Sequence, residues 1–181
     1  PTPGTKGSET SLMPSHEPKS FRTIVTGGAG FIGSHLTERL LNDGHSVTVI
    51  DNLASGKVEN LNAVKDNSEL KIHVADVANY NDIKAEFEGA DWVFHLAGIA
   101  DVVPSIQEPI LYHKANVDGT VAVLEASRNS GVSRFVYAAS SSCYGLPDEI
   151  PTPETAEIRP MYPYALSKNL GEQCVMHWNK V

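Results

Sequence analysis

From Phe21 onward the chain alternates between short apolar, β-branched runs and segments whose apolar residues recur at helical spacing. Phe21-Arg22-Thr23-Ile24-Val25 predicts a first strand, and Phe31, Ile32, Leu36, Leu40 and Leu41 mark the helix behind it. Ser46-Val47-Thr48-Val49-Ile50 is a second strand that ends in Asp51. Residues 52–67 are polar and loop-like, with room for one short helix. Residues 70–75 form a third strand leading to Asp76 and Val77, and residues 80–88 a brief helix with Ile83 and Phe87 at i, i+4. A fourth strand, 91–97, runs into Gly98. A long helix over about 109–130 is closed by Gly131. The fifth strand, 134–139, delivers Ser140, Ser141 and Ser142. After a loop marked by prolines 147, 151, 153 and 160, Pro163 opens a final helix that extends to about His177.

Alternating β and α elements with apolar strands predict an α/β fold, a doubly wound parallel sheet of Rossmann type covered on both faces. Right-handed crossovers and a glycine turn after the first strand predict the order 3-2-1-4-5, with a ligand crevice at the switch point. Five strands are visible, where a complete dinucleotide-binding sheet commonly has about six. Residues 1–20 hold four prolines and almost no apolar periodicity, which predicts a flexible extension in which Met13 is a candidate native start. Residues 21–181 then form one domain.

Bulk properties narrow the functional classes. The net charge is −8 and Lys and Arg form no cluster, which argues against a nucleic-acid surface and against polybasic membrane binding. No apolar run is long enough to span a bilayer, and the polar N-terminus lacks a signal-peptide core. The two cysteines, Cys143 and Cys174, have neither disulfide-framework nor zinc-site spacing, so they read as packing residues in a cytoplasmic protein with no metal site.

The chemistry begins at Val25-Thr26-Gly27-Gly28-Ala29-Gly30-Phe31-Ile32-Gly33. A strand that breaks into glycines and reopens as a helix is a phosphate-binding turn. Gly27 permits the tight turn, Gly30 the close approach of backbone to a pyrophosphate, and Gly33 the packing of helix against strand. Asp51, at the end of the second strand, stands where a carboxylate grips an adenosine ribose. That carboxylate repels a 2′-phosphate, and Asn52 follows where an Arg would compensate, so NAD is expected over NADP, with Lys57 close by in sequence.

Tyr164 and Lys168 share one face of the final helix at i, i+4. A tyrosine is a poor base near neutral pH unless a neighbouring ammonium favours its phenolate, and the pair together makes a general acid/base. Ser140, at the end of the fifth strand, is placed to hydrogen-bond both the phenol and a substrate oxygen. A second Tyr-x-x-x-Lys, Tyr80 and Lys84, follows the third strand on the adenine side and reads as a surface helix pair.

Thr26-Gly27-Gly28-Ala29-Gly30-Phe31-Ile32-Gly33, His95-Leu96-Ala97-Gly98, Asn116-Val117-Asp118-Gly119-Thr120, Ser140 to Gly145, and Tyr164-Ala165-Leu166-Ser167-Lys168 occur in that order. Together they resemble the extended short-chain dehydrogenase/reductase superfamily, in its nucleotide-sugar epimerase/dehydratase branch, over residues 21–181. The resemblance implies a tightly held NAD. Its contacts would come from Gly27, Gly30, Phe31, Ile32 and Gly33, from Asp51 and Asn52 at the ribose, and from Asp76 and Val77 at the adenine. Leu96, Ala97 and Gly98 would line the cofactor, Asn116 would lie buried nearby, and Tyr164 and Lys168 would complete the set. It also implies Tyr164, Lys168 and Ser140 as the catalytic group, with Ser140, Ser141, Ser142 and Tyr164 on the substrate.

Dehydratases of that branch resemble one another in a Thr-Asp-Glu segment after the fifth strand, and nucleotide-sugar decarboxylases keep a glutamate there. Ser140-Ser141-Ser142-Cys143-Tyr144-Gly145 has no carboxylate, and serines are poor groups for protonating a leaving hydroxyl or removing a C5 proton. The segment is most similar to that of UDP-glucose 4-epimerases and UDP-N-acetylglucosamine 4-epimerases, in which the tyrosine takes the proton of the sugar 4-OH while NAD⁺ accepts the C4 hydride. The resemblance further implies a C-terminal substrate domain beyond this chain, with Ser105 and the loop around Asp101 contributing part of the sugar site. A homodimer is expected of the full-length form. Two other readings stay open: an NAD-binding module without turnover, and a different nucleotide-sugar oxidoreductase or dehydratase.

Overall fold

The computed structural model describes residues 20–181; the extension expected over residues 1–20 and its candidate start Met13 lie outside the described residues, apart from Ser20. The strands are β1 (Arg22–Thr26), β2 (Ser46–Asp51), β3 (Leu70–Val74), β4 (Trp92–His95) and β5 (Arg134–Tyr137). All pair in parallel, in the order β3-β2-β1-β4-β5 that the crossover rules predict. The helices are α1 (Phe31–Asn42), α2 (Tyr80–Ile83), α3 (Val102–Gln107), α4 (Pro109–His113), α5 (Gly119–Asn129) and α6 (Pro163–Trp178).

Strand side chains alternate between the two faces, so neighbouring residues enter different cores. Ile24, Ile50 and Val93 pack with Ile83 of α2, Phe87 and Val123 of α5. Val25, Val47 and Val49 pack on the other face with Leu40 and Leu41 of α1 and with Leu61. Leu61 ends the single-turn helix Val58–Leu61, the short element for which the polar stretch 52–67 leaves room. α6 lies against α3, α4 and α5 and carries the end of the chain over the α5 side of the sheet.

The helix expected over 80–88 is α2 followed by a tighter turn over Lys84–Phe87, and larger departures from the sequence pattern lie elsewhere. β4 and β5 leave the sheet two residues earlier than their apolar runs suggest, after His95 and Tyr137. One further ladder bond follows each, Leu96 N to Thr26 O and Ala138 N to His95 O, before the chains diverge toward the crevice. The long helix expected over 109–130 is three segments: α4, a widened turn over Lys114–Asp118 with i→i+5 bonding, and α5. Thr120 Oγ1 donates to the Asn116 carbonyl at 2.6 Å, competing with the helical ladder where the turn widens. The six-residue α3 is absent from the sequence reading, since Pro104 within Val-Val-Pro-Ser-Ile-Gln hides so short an element; as a first-turn proline it is compatible with a helix.

A buried polar chain ties β1, β4 and the start of α5 together. Thr120 Oγ1 spends its proton on Asn116 O, so it accepts from His95 Nε2 at 3.0 Å. His95 Nδ1 therefore accepts from Thr26 Oγ1 at 2.7 Å, and Thr26 Oγ1 in turn accepts the Ala97 N–H at 3.2 Å. His95 is fully buried and neutral: desolvation, then the nearby Lys168 charge, push its pKa down to about 3 from 6.5.

This depression gives a pH signature. Below pH 6.5 the unfolded chain binds a proton that folded His95 refuses until about pH 3, so this group's stabilisation is complete above 6.5 and is lost as pH falls across that window. The expected slope from His95 is about 1.4 kcal/mol per pH unit. Denaturant titrations of the parent and of His95→Gln between pH 6.5 and 4 should converge as pH falls; parallel curves would contradict the assignment.

Candidate functional site

The carboxyl ends of β1, β2, β3 and β4 open into one cleft at the switch point. The glycine turn forms its floor. Gly27 sits at φ +70°, and a Cβ there would come within 2.7 Å of the Ala97 nitrogen, so the turn and the exit of β4 pass at backbone distance. Gly33 is buried, and a Cβ on it would collide with the Gly27 carbonyl and with Gly28. α1 begins at Phe31 without a side-chain cap, so its first N–H groups and its positive dipole end stand at the turn.

Gly27, Gly30, Asp51, Asn52, Asp76, Val77, Leu96, Ala97 and Gly98, all expected from the sequence, line this cleft. Phe31 and Ile32 do not: their side chains are 79% and 66% exposed on the first turn of α1, and what they bring to the turn is backbone N–H. The sequence reading misses Ala54, Ser55 and Gly56 on the β2 side, and Leu111, Lys114 and Ala115 on the opposite wall. The first group lies in a stretch with no distinguishing pattern. Of the second, Lys114 and Ala115 are placed by the widened turn, which a continuous helical period does not reveal, and Leu111 lies in α4 just before it.

Asp51 has a structural task that its position alone does not announce. One carboxylate oxygen accepts the Ala29 N–H at 3.0 Å and the other the Leu53 N–H at 2.8 Å, tying the glycine turn to the end of β2. Each oxygen keeps a further lone pair for a ligand. Asn116 is buried, and its amide is committed to the protein: Oδ1 accepts from Ile99 N, and Nδ2 donates to Ile99 O and Ser167 Oγ. It holds the cleft wall to α6 from beside the cleft.

Past Ile99 the wall leads to the second cluster. The Tyr164 hydroxyl donates to Ser140 Oγ at 3.4 Å, and the Ser142 N–H donates to the same oxygen at 3.2 Å, so the Ser140 proton is available for a ligand. Tyr112, whose hydroxyl bonds the Ala100 carbonyl, sets its ring edge-on to Tyr164 with centroids 6.4 Å apart. Lys168 is buried one turn beyond Tyr164. Burial pushes its pKa down to about 8, against smaller raising contributions from Cys143 and Glu172, which leaves it an ammonium at neutral pH. Ser141 is exposed, and Ser142 meets Ser140 through its backbone. Ser105 is buried with its hydroxyl on the Val102 carbonyl, while Asp101 is held at φ 100°, a strained value for a residue with a side chain. Cys143 is buried with its Sγ on the Ala165 carbonyl, as a packing residue.

Tyr80 and Lys84 stand elsewhere. The Tyr80 hydroxyl accepts from Asn129, at the far end of α5 from Asn116, and Lys84 Nζ lies 5.6 Å from the Tyr80 ring centroid. Among the described residues no cluster of His, Cys, Asp or Glu could hold a metal, and no helix is long and apolar enough to cross a membrane.

This arrangement has a counterpart among known proteins. A family model described as the NAD dependent epimerase/dehydratase family matches residues 23–181. The chain belongs to that family. It is 42% identical over 155 residues to a UDP-glucose 4-epimerase of Mycolicibacterium smegmatis, a match covering 84% of this chain and 49% of that protein. It is 36% identical over 188 residues to a probable UDP-arabinose 4-epimerase of Oryza sativa subsp. japonica, covering 99% and 45%. Among solved structures it is similar to a UDP-N-acetylglucosamine 4-epimerase from Methanobrevibacter ruminantium in complex with UDP-N-acetylmuramic acid, with TM-score 0.84, 36% identity and coverage of 90% and 51%. It is also similar to the Bordetella bronchiseptica enzyme WbmG in complex with NAD, with TM-score 0.81, 30% identity and coverage of 92% and 52%. The chain thus spans about half the length of these relatives.

The residues present fit a dinucleotide of the kind the family uses. The turn offers uncapped helix N–H groups where backbone can approach a pyrophosphate, and Asp51 lines the cleft at the end of β2 with acceptor capacity to spare.

Lys168 makes the site a source of instability. Its proton is bound less readily in the folded chain than in the unfolded one, so the stability associated with it is complete above pH 10.5 and is lost as pH falls through about 8. At pH 7, Lys168→Met should therefore be more stable than the parent by about 2–3 kcal/mol. Thermal or denaturant unfolding checks this, and the gap should close between pH 8 and 10.5. A variant that is less stable at pH 7 would refute the argument.

Proposed function

We propose that this chain is the NAD-binding, catalytic half of a UDP-sugar 4-epimerase, whose complete form carries further residues that grip the uridine nucleotide. The observation that carries this reading is the Tyr164–Ser140 hydrogen bond, with buried Lys168 one turn away, at the end of β5 beside the cleft. The similarity to UDP-sugar 4-epimerases and the half-length matches support it.

In this reading Gly27, Gly30 and the first N–H groups of α1 hold the cofactor's phosphates, Asp51 and Asn52 its adenosine ribose, and Asp76 and Val77 its adenine. Leu96, Ala97 and Gly98 line its path toward Tyr164 and Lys168. When bound, NAD supplies a reversible hydride acceptor for C4 of the sugar. Tyr164 takes the proton of the 4-hydroxyl and later returns it; Lys168 stands one turn behind it as a buried cation; Ser140, with its proton available, orients the substrate oxygen. Ser140–Gly145 bring hydroxyls and a thiol but no carboxylate, which favours inversion over loss of water. The homodimer expected of the full-length form belongs to the same proposal. Ile106 of α3, Ile110 of α4 and Leu166 of α6 are exposed apolar side chains available to it, and sedimentation of the complete protein as a monomer would remove that part.

Two measurements test the core of the proposal. In the complete protein with UDP-galactose or UDP-N-acetylgalactosamine, Tyr164→Phe should keep NAD but lose about 10²–10⁴-fold in 4-epimer formation, while Tyr80→Phe leaves turnover nearly unchanged. Release of a 4-keto-6-deoxy sugar or of CO₂ would overturn the epimerase reading. By calorimetry the 181-residue chain should bind NAD more tightly than NADP, and the reverse order would show the reading of Asp51 to be wrong.

A further inference from the structure

Lys168 is 8% exposed, and among the described residues its ammonium makes no hydrogen bond and no ion pair. A desolvated ammonium without compensation tends to lose its proton. What it does face is an aromatic ring: Lys168 Nζ lies 4.2 Å from the centroid of Tyr137, the last residue of β5. The Tyr137 hydroxyl reaches past the lysine and donates to the Lys168 backbone carbonyl at 3.2 Å. Gly171 makes room for this contact, since a Cβ there would come within 2.5 Å of that hydroxyl. The same strand that delivers Ser140 three residues later therefore grips the helix turn carrying Lys168.

We propose that Tyr137 is a positioning residue whose aromatic face keeps Lys168 charged and aims it beside Tyr164, while its hydroxyl fixes the turn of α6 from which the lysine extends. The part concerning Tyr164 rests on the catalytic reading given above; the hold of Tyr137 on Lys168 does not. Burial pushes the Tyr137 phenol above the ordinary tyrosine range, so the ring meets the ammonium as a neutral quadrupole. The other titratable groups around Lys168 are Cys143 in the turn after β5, Glu172 one turn along α6, His95 on β4 and Tyr164 one turn back. His95 is neutral, Cys143 is a thiol held protonated by burial, and Glu172 favours the lysine charge by less than burial opposes it. The Tyr137 face is the one compensating group in direct contact among the described residues. Its loss lowers the proton affinity of Lys168, so the cation is lost at a lower pH. The alkaline limit of catalysis then falls.

The experiment reads Lys168 directly. The 181-residue chain is labelled with ¹³C at lysine Cε, the Lys168 signal is assigned by its absence in Lys168→Met, and its midpoint is followed against pH. Tyr137→Phe, which keeps the ring, should leave the midpoint within about 0.3 unit, and Tyr137→Leu should lower it by about one unit. Should Tyr137→Leu not fold, phenylalanine with one, two or three ring fluorines at position 137 weakens the quadrupole at nearly constant shape, and the midpoint should fall stepwise. A midpoint that stays fixed across the fluorinated series, or in folded Tyr137→Leu, overturns the proposal. In the complete protein Tyr137→Leu and the fluorinated series, but not Tyr137→Phe, should lower the alkaline limit of the pH profile of kcat. A lowered midpoint with an unmoved profile would leave the hold of Tyr137 on Lys168 standing and remove the catalytic role of the lysine.

Discussion

The cleft depends on two backbone segments passing at a distance no side chain allows. Gly27, turning out of β1, lies against Leu96 and Ala97 at the exit of β4, with space for a hydrogen and nothing larger. Such an approach holds only if both strands are fixed in register, and the buried chain Ala97 N–H, Thr26, His95, Thr120 and Asn116 O fixes them. Every donor and acceptor in that chain is satisfied, which is the condition under which a fully buried histidine stabilises a core. The chain reaches from β1 through β4 to the start of α5. The floor of the cleft and one of its walls are thus positioned by the same bonds.

Asp51 and Asn116 extend this frame on either side. Asp51 ties the glycine turn to the end of β2 through the Ala29 and Leu53 amides. Asn116 ties the loop after β4 to α6 through both ends of its amide, and Gly98 leaves the space it occupies: a Cβ there would lie 2.8 Å from Asn116 Oδ1. Both are residues to which sequence patterns assign ligand contacts. In the fold their first effect is to hold backbone in place, which is how a site keeps its geometry before a ligand arrives.

The Tyr164 corner differs in its electrostatics. It gathers hydroxyls, a thiol and a buried ammonium, and its nearest aromatic groups are Tyr112 and Tyr137. A cation kept where water is scarce is unfavourable for the fold, and the same scarcity strengthens its influence on a neighbouring phenol. Under the proposed function, stability and chemistry pull in opposite directions at this one residue, as is common at functional sites.

Sequence by itself determined the layers, the strand order and most of the cleft. Alternating strand patterns, the glycine spacing and the acidic strand end are local signals, and each acts on backbone conformation within a few residues of where it is written. The placement of Tyr164 and Lys168 one turn apart on α6 was legible for the same reason, and so was Ser140 just past β5. Tertiary structure decided the rest. The widened turn at Lys114–Asp118 places Lys114 on the cleft wall, and the Asn116 amide it carries is held in the interior by bonds to Ile99 and Ser167, which are distant in sequence. The tasks of His95 and Tyr137 were equally invisible, because a buried histidine's partners and the ring beneath a lysine belong to other elements, and only packing brings them within reach.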